Sequence, residues 1–133
     1  FGKEVHAYSV AWSENEIEEV GKYADTIIFN SFSQLKKFQT RTRKIKNRGV
    51  RINPRISYSH FDLADPARKF SRLGLSTMAE IDQAAPFING CMFHFNCEND
   101  NFENFSTISS AVSETCAIPT FRARILERLI VRI

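Results

Sequence analysis

The chain has 133 residues, a mass of 15.3 kDa and a formal net charge of +3. That length allows one domain and is too short for two ordinary ones. With 43% hydrophobic and 25% charged residues, the composition excludes a disordered tail, a collagen-like fibre and a coiled coil, and no apolar run approaches the ~20 residues of a membrane span.

In chain order, Val5 to Val10 reads as a short strand. Ser13 with Glu16 three residues on forms a capping box, opening a helix that presents Ile17, Val20 and Ala24 on one face. Thr26 to Phe29 is a continuous β-branched and apolar run, as suits a strand buried on both faces. Ser31 or Ser33 caps a second helix, expected from about Ser33 to Lys46, with Leu35, Phe38, Thr42 and Ile45 inward and Gly49 as its stop signal. Val50 to Asn53 follows as a strand, ended by Pro54. The stretch from Pro54 to Gly74 shows no helix or long strand. Ordered loops of that length inside a compact domain are usually functional. Thr77 with Glu80 is a second capping box and predicts a helix through Ala84. Ile88 to Phe95 reads as a strand, and a last helix begins near Asp100 or Asn101 and runs past Phe105.

Strands and helices therefore alternate, which argues for parallel strands joined by right-handed crossovers. No glycine-rich dinucleotide fingerprint or phosphate loop follows any strand. The expected fold class is α/β, as a partial (β/α)8 barrel with about four parallel strands, since a whole barrel needs about 250 residues.

Charge is unevenly placed. Residues 13–25 hold five acids and one base, whereas residues 36–55 hold nine bases and no acid. The Lys36–Arg55 run supports two readings. One is a solvated helix face lying near the acidic helix before it. The other is a small RNA-binding module that releases counterions from phosphates. The first is favoured, because Phe32 and Phe38 fit a buried stripe better than a base-stacking platform. Three cysteines (Cys91, Cys97 and Cys116) with no CxxC pair argue against a disulfide framework or zinc ribbon. A reducing, cytoplasmic setting is expected, and no secretory signal pattern opens the chain.

Ligands of parallel sheets and barrels sit at the carboxyl ends of strands. The residues predicted there are Asn30 and Ser31, Arg51 and Asn53, and His94 with Asn96, Cys97, Glu98 and Asn99. His94, delivered by an apolar strand, is either a cofactor or base position or a satisfied structural histidine. Cys97 as a nucleophile lacks a second histidine near it in sequence. A metal site from His60, Asp62, Asp65 and His94 matches no common ligand spacing, so no metal is expected.

Six segments carry a resemblance: Glu4 to Ser9, Ile28 to Ser31, Arg51 to Pro54, Phe61 to Arg68, Ser71 to Gly74, and His94 to Asn99. In that order they resemble the carboxynorspermidine decarboxylases, within the fold type III pyridoxal-phosphate-dependent decarboxylases. The likeness covers roughly residues 2 to 106 and implies an internal fragment of the pyridoxal-phosphate-binding barrel domain (1–106), followed by a divergent basic tail (107–133) without a family counterpart. It implies pyridoxal 5'-phosphate as cofactor. His94 would stack on its ring and Cys97 would meet its phosphate. Arg51, Arg72 and Asn53 would line the cofactor side, and Glu98 and Asn99 would contact substrate. It also implies a small carboxylated polyamine substrate, carboxynorspermidine or carboxyspermidine, and a homodimer for the full-length parent, with no membrane or nucleic-acid partner. The family's Schiff-base lysine lies upstream of Phe1, and none of the lysines here sits in its context. No catalytic residue is therefore assigned to these 133 residues, which are expected to be inactive alone. A non-catalytic carrier of the same cofactor would equally need that lysine.

Overall fold

A computed structural model describes residues 2–59, 61, 63, 65–94, 101–116 and 129–132. Five strands, β1 (His6–Tyr8), β2 (Thr26–Phe29), β3 (Asn47–Arg51), β4 (Gly90–His94) and β5 (Leu129–Arg132), form one sheet in the order β1-β2-β3-β4-β5. Every pairing is parallel. Sequential order matters, because right-handed crossovers that always step the same way place every helix on one face of the sheet. That is the winding of a barrel and not of a doubly wound sheet, and the chain is a curled half-barrel. It has one strand more than the sequence led us to expect. β5 lies in the 107–133 segment, and the expected boundary at 106/107 falls inside a helix, α4 (Phe102–Cys116).

Three further α-helices among the described residues are α1 (Glu14–Val20), α2 (Phe32–Phe38) and α3 (Met78–Ala84), the last continued by a 3-10 turn, Ala85–Phe87. Both capping boxes form. The Ser13 N–H donates to Glu16 Oε2 at 2.7 Å, while Thr77 and Glu80 reciprocate at 3.3 Å. The Ser13 hydroxyl and backbone N–H hold the exposed Glu16 carboxyl below its ordinary pKa.

Alternation along the strands sends Ile27, Phe29, Val50, Ile52 and Cys91 to the helical face. There they form one core with Ile17 of α1, Leu35 and Phe38 of α2, and Ile81 and Ala84 of α3. Phe93 continues this face into a second cluster with Ile108 and Val112 of α4, joined by Ile56, Tyr58 and Phe105.

Two expectations are corrected here. The second helix ends at Phe38, not near Lys46. Thr42 donates both its N–H and its hydroxyl to the Phe38 carbonyl at 3.0 Å, and Ile45 N–H bonds back only three residues, to Thr42. Arg43 N–H likewise bonds back three residues, to Thr40, so successive tighter turns replace the helix. The inward stripe survives, because Leu35, Phe38, Thr42 and Ile45 are all buried. Gly49, read as a helix stop, lies inside β3, which starts three residues earlier than predicted. A Cβ there would stand 2.7 Å from Ile28 Cδ1 and 3.0 Å from the Gly90 carbonyl oxygen. The glycine permits close strand packing and does not end a helix.

The basic run divides by position. Lys36, Lys37, Arg41, Arg43, Lys44 and Lys46 are exposed and Arg51 is buried. Arg41 bonds Glu18 at 3.0 Å and Glu14 at 3.3 Å, and Lys37 lies 3.6 Å from Glu14. The run therefore packs beside the acidic helix α1, as the solvated-face reading requires, though exposed pairs of this kind add little stability. No helix among the described residues is long and apolar enough to cross a membrane.

Candidate active site at the carboxyl ends of the strands

The inner face of the sheet, turned away from the helices, is polar at both ends. At the amino ends Glu4 Oε1 accepts from the Thr26 hydroxyl and from Asn47 Nδ2, and Asn89 Nδ2 donates to Asn47 Oδ1. Ile28, Gly49 and Gly90 occupy the middle, paired in register across β2, β3 and β4. At the carboxyl ends stand Tyr8, the last residue of β1, Asn30, directly after β2, Arg51, the last of β3, and His94, the last of β4.

The first three are joined. Arg51 Nη1 donates to the Tyr8 hydroxyl at 2.7 Å, and that hydroxyl donates to Asn30 Oδ1 at 3.1 Å. The guanidinium also lies 5.6 Å from the centre of the Tyr8 ring, within cation–π range. Asn30 holds the returning loop, since Oδ1 accepts from Gly74 N–H at 3.1 Å and Nδ2 donates to the Arg72 carbonyl at 2.9 Å. That loop docks on β3. Leu75 N–H reaches the Arg51 carbonyl and Asn53 N–H reaches the Leu75 carbonyl, both at 2.8 Å. Gly74 has φ +87°, and a Cβ there would stand 3.0 Å from the Arg51 carbonyl oxygen. Any other residue would be strained by conformation and by contact together.

Arg51 is 7% exposed. Among the described residues no carboxylate pairs with it. A buried cation is costly unless an anion or several hydrogen bonds compensate it, and the bond to Tyr8 engages one of its five N–H groups. Arg51 pairs in register with Met92, so His94, two residues further along β4, shares its face. The His94 side chain is half-buried.

The remaining predicted residues fare differently. Asn53 is buried, but its side chain ties the 54–66 loop, accepting from Arg55 N–H at 2.9 Å and donating to the Pro66 carbonyl at 3.2 Å. Arg72 joins the cluster through its carbonyl, while its side chain is exposed. Cys97, Glu98 and Asn99 lie outside the described residues, as do His60 and Asp62. Among the described residues no three His, Cys, Asp or Glu groups could share a metal ion. Tyr8 was not picked out by sequence. A strand expected from Val5 to Val10 put it mid-strand, and only the observed end at Tyr8 places it on the rim.

No protein-family model matches the chain. The carboxynorspermidine/carboxyspermidine decarboxylase of Herminiimonas arsenicoxydans is 48% identical over 114 residues, covering 86% of this chain and 31% of that protein. Over that stretch the chain is homologous to the carboxynorspermidine decarboxylases, as a fragment of one. It spans about 31% of that relative's length. Carboxynorspermidine decarboxylase from Campylobacter jejuni, solved in complex with norspermidine, superposes with a TM-score of 0.69 at 31% identity, over 85% of this chain and 28% of its own. Diaminopimelate decarboxylase from Helicobacter pylori, solved with L-lysine, superposes with a TM-score of 0.75 at 19% identity, over 96% of this chain and 34% of its own, a likeness of fold.

Proposed function

We propose that this chain is the part of a pyridoxal-phosphate-dependent decarboxylase that lines one side of the cofactor, in an enzyme converting carboxynorspermidine or carboxyspermidine to norspermidine or spermidine. The observation that carries the reading is Arg51, a guanidinium buried at the carboxyl ends of parallel strands with no carboxylate partner among the described residues. Such a group fits an anionic ligand such as a phosphorylated cofactor. When bound, the cofactor supplies an electron sink for the carbanion left by loss of CO2. This chain's residues supply placement. Arg51 offers N–H donors to an anionic group, the Tyr8 hydroxyl holds its guanidinium and is itself held by Asn30, and His94 offers a flat imidazole on the same face. Cys97, Glu98 and Asn99 follow the end of β4 at His94 by three to five residues in sequence, and we assign them the phosphate and substrate contacts the family likeness implies. The Schiff-base lysine, and with it the competence to turn over, belongs on this reading to sequence outside these 133 residues, in a cytoplasmic homodimer.

The test is to express the complete reading frame that contains this chain and assay CO2 release from carboxynorspermidine with pyridoxal 5'-phosphate added. The reading expects turnover that requires the cofactor and a product that is norspermidine. A folded, cofactor-loaded protein that leaves both carboxynorspermidine and carboxyspermidine intact would refute it.

A further inference from the structure

We infer that Tyr8 is a positioning residue that sets the direction of the Arg51 guanidinium and, through Asn30, couples it to the 72–75 segment. The inference rests on the cofactor reading only for what Arg51 finally meets; the coupling itself is a property of this chain. Three observations carry it. The Tyr8 hydroxyl stands between the two groups, accepting from Arg51 Nη1 at 2.7 Å and donating to Asn30 Oδ1 at 3.1 Å. Asn30, 5% exposed, bonds the same loop twice, at Gly74 N–H and at the Arg72 carbonyl. The loop then closes the circuit on Arg51 itself, whose carbonyl accepts from Leu75 N–H at 2.8 Å.

The physical consequence is directional. A long, flexible arginine side chain loses rotamer freedom when it engages a ligand. Here one N–H is already fixed by a hydroxyl on a neighbouring strand end, and the ring of the same residue flanks the guanidinium at 5.6 Å. The remaining N–H groups are thereby pre-aimed, and the ordering cost on binding an anion is lowered. Because Asn30 Oδ1 accepts from both Tyr8 and Gly74, a shift of the 72–75 segment alters the acceptor that orients the phenol. The state of the loop is therefore transmitted to the guanidinium across three strand ends.

Tyr8→Phe tests this, since it keeps the ring and removes only the hydroxyl. The primary readout is nitrogen-15 NMR of the arginine side chains in the full 133-residue chain, without ligand. Arg51 should give slowly exchanging, resolved guanidinium signals in the wild type. In Tyr8→Phe they should average and broaden, with the backbone spectrum otherwise retained. Asn30→Ala should do the same and serves if Tyr8→Phe does not fold. Unchanged Arg51 signals in a folded variant would overturn the inference. The second readout is the Kd for pyridoxal 5'-phosphate. Tyr8→Phe should weaken binding about tenfold, and combined with Arg51→Met it should add nothing to the Arg51→Met loss. Additive losses would mean that Tyr8 acts by another route and would overturn its positioning role. A wild-type chain that binds no cofactor counts against the cofactor reading alone, and the NMR comparison then decides the coupling.

Discussion

Replacing Phe38 with alanine should destabilise the fold by about 3–5 kcal/mol, the range for deleting a buried aromatic side chain. Phe38 is 1% exposed and closes α2 onto the main core. Its carbonyl also receives both bonds from Thr42, so the ring sits where the helix gives way to the turns that lead into β3. A cavity there removes contacts from the helix and from the sheet face together, and little collapse can refill it in a close-packed layer. Denaturant unfolding of the wild type and Phe38→Ala measures the difference. A loss under about 1 kcal/mol would mean that the ring is exposed. It would also revive the basic run as an RNA-binding surface, whose signature is a steep fall of affinity with salt.

On the proposed function, His94→Ala in the complete protein should lower the decarboxylation rate by roughly two orders of magnitude while the fold persists. An imidazole that fixes the tilt of a bound ring acts by positioning, and misplacement of a reacting group costs about that much. The structure places His94 at the carboxyl end of β4, half-buried and on the face that carries Arg51. A merely structural histidine behaves differently. Its loss leaves a buried partner unsatisfied and lowers stability by about 1–3 kcal/mol, with little change in the chemistry of the folded fraction. Melting temperature and turnover per cofactor-loaded molecule, measured on the same variant, separate the two. A sharp fall in melting temperature with unchanged turnover would remove His94 from the cofactor site.

The barrel character was legible because it rests on long-range alternation of apolar runs with capped helices, and both capping boxes lie where Ser13–Glu16 and Thr77–Glu80 put them. The inward stripe through Ile45 was also legible, since burial obeys a helical period even where regular hydrogen bonding stops. The end of α2 was not, because the apolar period runs on to Ile45 while the backbone bonds pass to three-residue steps, Arg43 to Thr40 and Ile45 to Thr42. Gly49 misled for a related reason. A glycine that ends a helix and one that admits a neighbouring strand look alike in sequence, and only the Ile28 contact distinguishes them. β5 carried a signal in the run Leu129–Ile130–Val131, yet the surrounding arginines made the segment read as a basic tail.

The site was half legible. Residues at the ends of predicted strands could be named, and Arg51 and His94 do share a face. Whether a polar side chain there is open to a ligand or engaged by its own loop is set by tertiary contacts. Asn53 is tied to Arg55 and Pro66, and Arg72 contributes a carbonyl and not its charge. Tyr8 and Asn30 gain their roles only when three strand ends, 22 and 43 residues apart in sequence, come together.

The claim that Arg51 marks a cofactor-binding face can be tested directly by titrating the 133-residue chain with pyridoxal 5'-phosphate and following the fluorescence of Trp12, its one tryptophan. The indole donates to the Ile28 carbonyl at 3.1 Å, which ties it to β2, the strand that Asn30 directly follows. Saturable quenching is expected for the wild type, with affinity at least tenfold weaker for Arg51→Met, as for loss of a charge-assisted hydrogen bond to an anion. Equal affinity of the wild type and Arg51→Met, or no saturable quenching by the wild type, would contradict the assignment.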